Sequence, residues 1–159
     1  MLKNKIFLGL LLLCGLFAAC EKKKDYDSDT QLEIDKAIIE KYVVDSAIKD
    51  LTILPSGLRY RILAAGEGAA PKSSDSIQVY YSGRILAAKT QFDNVPVERP
   101  VTLKLDALMQ GWQIALPLIA KGGQIRMIIP SPLAYKDFQG SSIPPNSILD
   151  YTVTLVNIK

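Results

Sequence analysis

Five aromatic side chains in the second half of the chain are the residues best suited to chemistry, because each stands beside turn-forming sequence. They are Tyr81, Phe92, Trp112, Tyr135 and Tyr151. Aromatic residues commonly fill a protein core. If the five instead converge on one concave face, they form an apolar pocket in which tyrosine hydroxyls donate hydrogen bonds. Periodicity by itself leaves both arrangements open.

Composition excludes several other kinds of active site. The chain contains no histidine, so a Ser-His-Asp triad, a Cys-His dyad and a histidine-ligated metal centre are ruled out. Both cysteines, Cys14 and Cys20, lie within the first 20 residues, so the body of the chain has neither a disulfide framework nor a cysteine zinc site. The alternating acids Asp25, Asp27 and Asp29 lack the spacing and glycine of a calcium loop. We therefore expect no metal and no cofactor.

The first residues have the organisation of a secretory signal peptide. Lys3 and Lys5 precede a predominantly apolar run, residues 6–19, which is shorter than the about 20 residues of a membrane-spanning helix. The run ends in Leu16-Phe17-Ala18-Ala19-Cys20, which resembles a bacterial lipobox. We expect removal of the signal peptide and acylation of Cys20, which would anchor the protein to a membrane. An ordinary signal peptide with a stray cysteine is the alternative.

Such an anchor predicts a location in the cell envelope, facing the periplasm, with the outer membrane favoured over the inner. Loss of Lys3 and Lys5 with the signal peptide lowers the net charge from +3 to +1. A near-neutral domain offers no dominant basic face, so nucleic acid is not an expected partner. The polar stretch after Cys20 reads as a tether. The predicted organisation is a signal peptide (1–19), a lipid-anchored tether (20–29), a helix with its connection (30–54) and a C-terminal domain (55–159).

An amphipathic helix is predicted over residues 30–48. Thr30 and Glu33 fit a capping box, in which each side chain satisfies a free backbone amide of the first turn. Apolar residues then recur at helical spacing. The resulting stripe either packs on the domain or forms a dimer interface. Its members are Ile34, Ile38 and Tyr42, with Ile39 and Val43 beside them.

After Gly57 the apolar period changes from helical spacing to two. Five alternating runs with turn signals between them predict a largely antiparallel sheet. One segment, residues 106–120, carries apolar residues at spacings of three and four and predicts a single helix across the sheet face. Pro117 should shorten or kink that helix. The alternating runs occupy residues 58–62, 77–81, 101–105, 125–129 and 149–155.

The chain carries five short motifs, which are Val79-Tyr80-Tyr81-Ser82-Gly83, Phe92-Asp93, Met109-Gln110-Gly111-Trp112, Ile129-Pro130 with Ala134-Tyr135, and Ile143-Pro144-Pro145-Asn146-Ser147. In this order and spacing they resemble those of the FKBP-type peptidyl-prolyl cis-trans isomerases, the family that binds macrolide immunosuppressants. The resemblance covers residues 55–159. The preceding helix and the Ser-Gly-Leu-Arg-Tyr entry are similar to those of lipid-anchored and periplasmic bacterial members.

The resemblance implies an α+β fold, with a twisted antiparallel sheet of five or six strands wrapped around one short helix and an N-terminal amphipathic helix before it. A pocket would lie between the short helix and the sheet, with Trp112 as its floor and the Met109 amide binding a substrate carbonyl. The catalytic group would be Tyr81, Phe92, Asp93, Trp112, Tyr135 and Tyr151. Further substrate-binding residues would be Val101, Leu108, Met109 and Ile143.

The implied activity is rotation of X-Pro amides in exported, proline-containing polypeptides, with macrolide immunosuppressants as further ligands. This chemistry needs no nucleophile, which fits the absence of histidine. Several positions depart from the family pattern and frame the pocket: Lys136 replaces a common glycine, Val101 a common aromatic and Ser142 an aliphatic residue, and no glycine shortly precedes Phe92. A weakly active or inactive chaperone or binding module that uses the same pocket is therefore the alternative.

Overall fold

A computed structural model of the chain describes residues 25–140 and 142–159. The predicted signal peptide and the first half of the predicted tether, which includes Cys20, lie outside the described residues. None of the helices within the described ranges is long and apolar enough to cross a membrane.

A single antiparallel sheet organises this part of the chain. Its strands run in the order β1-β2-β6-β7-β3-β4, and β5 also pairs with β3. Every pairing in the sheet is antiparallel, as the alternating sequence predicted. The strands are β1 (Thr52–Ile53), β2 (Arg59–Ala64), β3 (Ser76–Ile85), β4 (Asp93–Val95), β5 (Val101–Lys104), β6 (Gln124–Ile129) and β7 (Leu149–Ile158).

The expected five or six strands become seven within the described residues. The additional strands are β1, with two residues, and β4, with three. Segments this short contain too few residues to display a period of two, so the alternation that predicts the longer strands does not predict these two. Strand β4 pairs with the far end of β3, where Asp93 lies opposite Gly83. This pairing is what brings the Phe-Asp motif to the pocket.

The helix predicted over residues 106–120 is shorter than expected. A 3-10 turn spans Leu105–Ala107, helix α2 spans Gln110–Ala115, and a second 3-10 turn spans Leu116–Leu118. Leu108 and Met109 adopt extended backbone conformations between the first turn and α2. Pro117 lies inside the second turn, as expected of a residue that cannot donate to the carbonyl of Gln113.

The sheet wraps around α2 and encloses one main core. Trp112, Ala115 and Leu116 are buried on the sheet side of this segment. Alternate residues of the long strands β3 and β7 pack against them, among them Ile77 and Val79. The other buried side chains of this cluster are Leu58, Leu105, Ile119, Ile125, Met127, Ile129, Leu149, Tyr151, Val153 and Leu155.

The N-terminal helix α1 spans Ser28–Asp45 and differs from its prediction at both ends. Asp27 caps it, accepting hydrogen bonds from the amides of Asp29 and Thr30 at 3.1 and 3.2 Å. The predicted capping box at Thr30 and Glu33 was therefore wrong, and the helix begins inside the predicted tether. It ends before Ile48 because Ala47 adopts a left-handed conformation, with φ of 49°.

Helix α1 packs on its own domain through Ile39, Tyr42 and Val43, which form part of the predicted stripe. Ile39 is fully buried and contacts a second small core with Ile128 and Ile148. By contrast, Ile34 and Ile38 are each 49% exposed. The other fully buried residue of the helix is the carboxylate Asp35, which an apolar pattern cannot reveal.

Candidate prolyl-binding pocket

The pocket forms where the start of α2 faces β3, β4 and β7. Gly111 allows α2 to approach the sheet closely, since a Cβ at this position would lie 2.5 Å from a methyl carbon of the buried Ile129. The loop before the helix is fixed by Gln113, whose amide donates to the carbonyl of Leu108 at 2.6 Å. These contacts set the positions of Leu108, Met109 and Trp112.

A cavity of about 190 Å³ lies at this junction. Two polar elements enter an otherwise largely apolar wall: the carboxylate of Asp93 and the tyrosine hydroxyls. The cavity is smaller than the about 300–1,000 Å³ of pockets that enclose drug-sized ligands, and suits a single ring with its neighbouring groups. Its lining residues are Tyr81, Asp93, Leu103, Ala107, Leu108, Met109, Trp112, Tyr135 and Tyr151.

The aromatic rings pack edge to face and so hold one another in place. The rings of Tyr81 and Tyr151 lie 5.1 and 5.2 Å from that of Trp112, at interplanar angles of 89° and 83°. Phe92 packs on the outer side of Tyr151 at 5.9 Å. Such contacts add about 0.5–1.5 kcal/mol each beyond area burial. The indole N–H of Trp112 has no hydrogen-bond partner among the described residues, so this side chain supplies shape and apolar area.

Asp93 is shared by two tyrosines on neighbouring strands. The Tyr81 hydroxyl donates to one oxygen of Asp93 at 3.3 Å, and the Tyr151 hydroxyl donates to the other at 3.4 Å. The hydroxyl of Tyr135 lies beside that of Tyr151. Three hydroxyls thus gather around one carboxylate at the wall of the cavity.

The tyrosines around this carboxylate hold their protons tightly. Burial, followed by the negative charge of Asp93, raises the pKa of Tyr81 to about 12. Burial is also the largest cause that raises the pKa of Tyr135 and of Tyr151, and Asp93 adds to both. All three hydroxyls are therefore neutral donors at physiological pH. Within the described residues, no group of three or more acidic or thiol side chains could hold a metal ion.

The ring of Tyr151 enters the pocket because its cross-strand neighbour has no side chain. Gly83 on β3 lies directly opposite Tyr151 on β7. A Cβ on Gly83 would lie 2.3 Å from a ring carbon of Tyr151. The glycine of the Tyr-Tyr-Ser-Gly motif is thus explained by this close approach, since its φ is not in the left-handed region.

Lys136 ends the segment that carries Tyr135 and adopts a left-handed conformation, with φ of 56°. This is the position at which the sequence lacks the glycine common in the family. A non-glycine residue there is strained by about 1–2 kcal/mol. The chain nevertheless makes the turn, since the Lys136 carbonyl accepts a hydrogen bond from the Asn146 amide at 2.8 Å.

Seven of the ten predicted pocket residues line this cavity. The other three lie elsewhere: Phe92 packs edge to face on the ring of Tyr151, Val101 packs against the main core, and Ile143 is half-buried in the loop before Pro144. Sequence reasoning missed Leu103 and Ala107. Leu103 shares the alternating run of Val101 and could have been found there, whereas Ala107 carries no signal of its own.

Comparison with known proteins identifies the family to which the chain belongs. The sequence profile described as FKBP-type peptidyl-prolyl cis-trans isomerase matches residues 67–156, more than half of the chain. The chain therefore belongs to the FKBP-type peptidyl-prolyl cis-trans isomerase family.

Individual relatives agree in sequence and in structure. FkpA of Escherichia coli is 34% identical over 143 residues, which cover 89% of this chain and 52% of that protein. Its crystal structure superposes with a TM-score of 0.71 over 83% of this chain and 62% of the other. A peptidyl-prolyl cis-trans isomerase from Pseudomonas syringae pv. tomato is 25% identical, with a TM-score of 0.67 over 85% of this chain and 98% of that one.

An outer membrane protein, MIP of Legionella longbeachae, is 35% identical over 111 residues, 69% of this chain and 47% of that protein. The chain spans about half the length of the curated relatives it matches.

Proposed function

We propose that this chain is a peptidyl-prolyl cis-trans isomerase that assists the folding of exported polypeptides. The observation that carries the proposal is the small aromatic cavity above Trp112, whose one carboxylate among the described residues already accepts hydrogen bonds from Tyr81 and Tyr151. Such a site can enclose a prolyl ring without attacking it.

Isomerisation of an X-Pro bond needs few groups beyond a pocket that encloses the prolyl ring. Rotation about an X-Pro amide faces a barrier of about 18–20 kcal/mol, because resonance gives the C–N bond partial double-bond character. The planar amide is the more charge-separated state, so water stabilises it more than the twisted transition state. A dry pocket shaped by Trp112, Tyr81 and Tyr151 removes that water and favours the twisted form. Each tenfold acceleration needs only about 1.4 kcal/mol of differential binding.

The polar groups of the pocket would hold the peptide on either side of the proline. The Met109 N–H lies at the start of α2 and is proposed to donate to a substrate carbonyl. The Tyr135 hydroxyl, a neutral donor at physiological pH, is proposed to bind a second carbonyl. Asp93 is proposed to fix the tyrosine hydroxyls in position and not to react. Phe92 would support Tyr151, and Val101 and Ile143 would act from outside the cavity.

A protease-coupled assay with a short X-Pro peptide tests the activity. The folded wild type should accelerate cis-to-trans conversion, and Trp112→Ala should lower kcat/KM about tenfold or more. Tyr135→Phe tests the hydroxyl contact. The matched control is Tyr80→Phe, because Tyr80 precedes Tyr81 on β3 and lines a depression on the other face of the sheet. No acceleration by folded wild-type protein would contradict the proposal and favour the alternative, a chaperone or binding module.

Macrolide immunosuppressants are proposed as ligands of the same pocket, with Trp112 beneath their prolyl-like ring. The cavity of about 190 Å³ would hold that ring, and the remainder of a macrolide would extend over the rim. Trp112 is the only tryptophan of the chain, so its fluorescence reports binding directly. Titration with such a macrolide should change this emission in the wild type, and the absence of any change would contradict binding.

We further propose that Cys20 carries the lipid anchor that holds the protein at the cell envelope, facing the periplasm. The support is the lipobox-like end of the apolar run, Leu16-Phe17-Ala18-Ala19-Cys20. Metabolic labelling of a bacterial host with radioactive palmitate should label the wild type and not Cys20→Ser. The matched control, Cys14→Ser, should remain labelled. An unlabelled wild type that is still exported would indicate an ordinary signal peptide.

A further inference from the structure

A carboxylate outside the pocket has a set of contacts that the proposed mechanism does not use. Asp35 of α1 is fully buried. One of its oxygens accepts hydrogen bonds from the backbone amide and from the hydroxyl of Ser131, at 2.6 and 2.7 Å. The other oxygen accepts from the side-chain amide of Gln31 at 2.8 Å. Burying a carboxylate is unfavourable unless donors replace the lost water, and these three donors do so.

Ser131 is the first residue of a segment that leads directly into the pocket. A 3-10 turn spans Ser131–Leu133, and Tyr135 follows two residues later. The Ser131 carbonyl accepts hydrogen bonds from the Ala134 amide at 3.0 Å and from the Lys136 amide at 2.9 Å. The residues immediately before and after Tyr135 are therefore both tied to Ser131.

We propose that Asp35 is a positioning residue for the pocket: by holding Ser131, it sets the place of Tyr135 and of the wall that Tyr135 forms. The inference rests on the proposed isomerase function. It assigns a role in the site to α1, which lies outside the residues that the family profile matches. Helix α1 would then contribute to substrate handling as well as to stability.

The remaining contacts of α1 provide a contrast. Ile39 packs into the second small core with Ile128 and Ile148, and Glu40 accepts a hydrogen bond from Arg59 of β2 at 2.6 Å. These contacts attach the helix to the sheet without involving Ser131. Changes at Ile39 or Glu40 should weaken the attachment of α1 and leave the position of Tyr135 unchanged.

The experiment compares Asp35→Ala, Asp35→Asn and Ser131→Ala with the controls Glu40→Gln and Ile39→Val, all in the full chain purified in detergent. Circular dichroism selects conditions in which each variant is folded. Asp35→Ala should lower kcat/KM for an X-Pro peptide about tenfold, because small misplacements of a binding group can cost about 10²-fold. Asp35→Asn keeps an oxygen acceptor for Ser131 and should recover most of the activity. The two controls should retain wild-type kcat/KM.

NMR provides a readout that does not depend on turnover. The amide and ring signals of Tyr135 should shift in Asp35→Ala and in Ser131→Ala, and should stay in place in both controls. Wild-type kcat/KM and an unmoved Tyr135 in folded Asp35→Ala would overturn the inference. If the wild type has no isomerase activity, the proposed function fails and the Tyr135 signals alone decide whether Asp35 positions this residue. If Asp35→Ala does not fold, Ser131→Ala, which removes the hydroxyl bond to Asp35, takes its place, and an unmoved Tyr135 with wild-type kcat/KM in folded Ser131→Ala would overturn the inference.

Discussion

At the scale of single residues, the shape of the pocket depends on Gly83 and Tyr151, which face each other on neighbouring strands. Gly83 lacks the side chain that would collide with Tyr151, and this absence lets the ring of Tyr151 reach Trp112. The Tyr151 hydroxyl gives Asp93 a second donor beside the hydroxyl of Tyr81. A partly buried carboxylate such as Asp93 is held more firmly by two donors than by one.

Gly83→Ala tests the close approach. The added methyl group would lie 2.3 Å from the Tyr151 ring, so the ring must move and the pocket must deform. We expect a stability loss of about 1–3 kcal/mol and a marked loss of isomerase activity. Urea unfolding and the coupled peptide assay measure the two effects. Gly140→Ala is the matched control, because its Cβ would meet nothing closer than 3.4 Å, and both quantities should change little. Wild-type behaviour of Gly83→Ala would contradict this account of Tyr151.

The raised pKa of Tyr81 predicts a specific alkaline behaviour. Tyrosine ordinarily ionises at 10.0, and in the folded protein the pKa of Tyr81 is about 12. The folded state therefore favours the neutral form. The stability that Tyr81 contributes is complete below about pH 10 and is lost as the pH rises through about 12. Over this window, Tyr81→Phe should lose less unfolding free energy than the wild type.

Tyrosinate absorbance provides the direct measurement. The difference titration between wild type and Tyr81→Phe should have its midpoint near pH 12, provided that the protein is still folded by circular dichroism. A midpoint near pH 10 would mean that neither burial nor Asp93 acts on this hydroxyl as described.

At the scale of elements, the N-terminus of helix α1 lies two residues before the predicted start at Thr30. Thr30 and Glu33 satisfy the capping-box pattern, but Asp27 lies three residues earlier and also suits the cap position. Each choice satisfies local rules. Starting the helix at Ser28 also provides Asp27 with two backbone donors, which a start at Thr30 would not provide.

Substitution at the cap distinguishes the two starts. Asp27→Ala removes the acceptor of the Asp29 and Thr30 amides and should lower the free energy of unfolding by about 1 kcal/mol. Thr30→Ala, the control, removes one exposed hydroxyl contact and should cost less. Urea unfolding of both variants measures the ranking. If Thr30→Ala is the more destabilising of the two, the capping box is the true start of the helix.

At the scale of the whole molecule, one face of the sheet forms the pocket, and the other carries a cluster of ion pairs that links strands. Tyr151 faces the pocket, and Asp150 beside it on β7 faces the opposite side. Asp150 accepts hydrogen bonds from Arg84 of β3 and Arg126 of β6 at 2.9–3.0 Å, which ties three strands together. The hydrogen bond that Arg126 donates to Asp150 is the largest cause that raises the pKa of Arg126.

Asp150→Ala should therefore separate stability from function. The Asp150 side chain is only 2% exposed, and its removal takes away the carboxylate that Arg84 and Arg126 share. We expect a loss of about 3–5 kcal/mol in unfolding free energy, while kcat/KM of the protein that remains folded stays near the wild-type value. Asp45→Ala is the control, since its exposed ion pair with Lys41 should contribute about 0.3–0.5 kcal/mol. An unchanged urea midpoint in Asp150→Ala would contradict the role of this cluster.

Much of the architecture follows from local sequence. A period of two marks each long strand, and Pro117 limits the helix at the pocket. The lack of histidine and of cysteine beyond residue 20 excludes several kinds of active site, and the resemblance of the motifs implies an aromatic pocket and the residues that would form it. These properties are visible because they depend on neighbouring residues or on side-chain type alone.

Tertiary structure alone decided the rest. The bond between Asp35 and Ser131 joins residues 96 positions apart, and neither residue carries a pattern that points to the other. Ile34 and Ile38 match a buried stripe as well as Ile39 does, yet only Ile39 meets a partner surface. Which face of a helix is buried, and which distant donors share a carboxylate, depends on how the elements pack, and packing is a property of the whole fold.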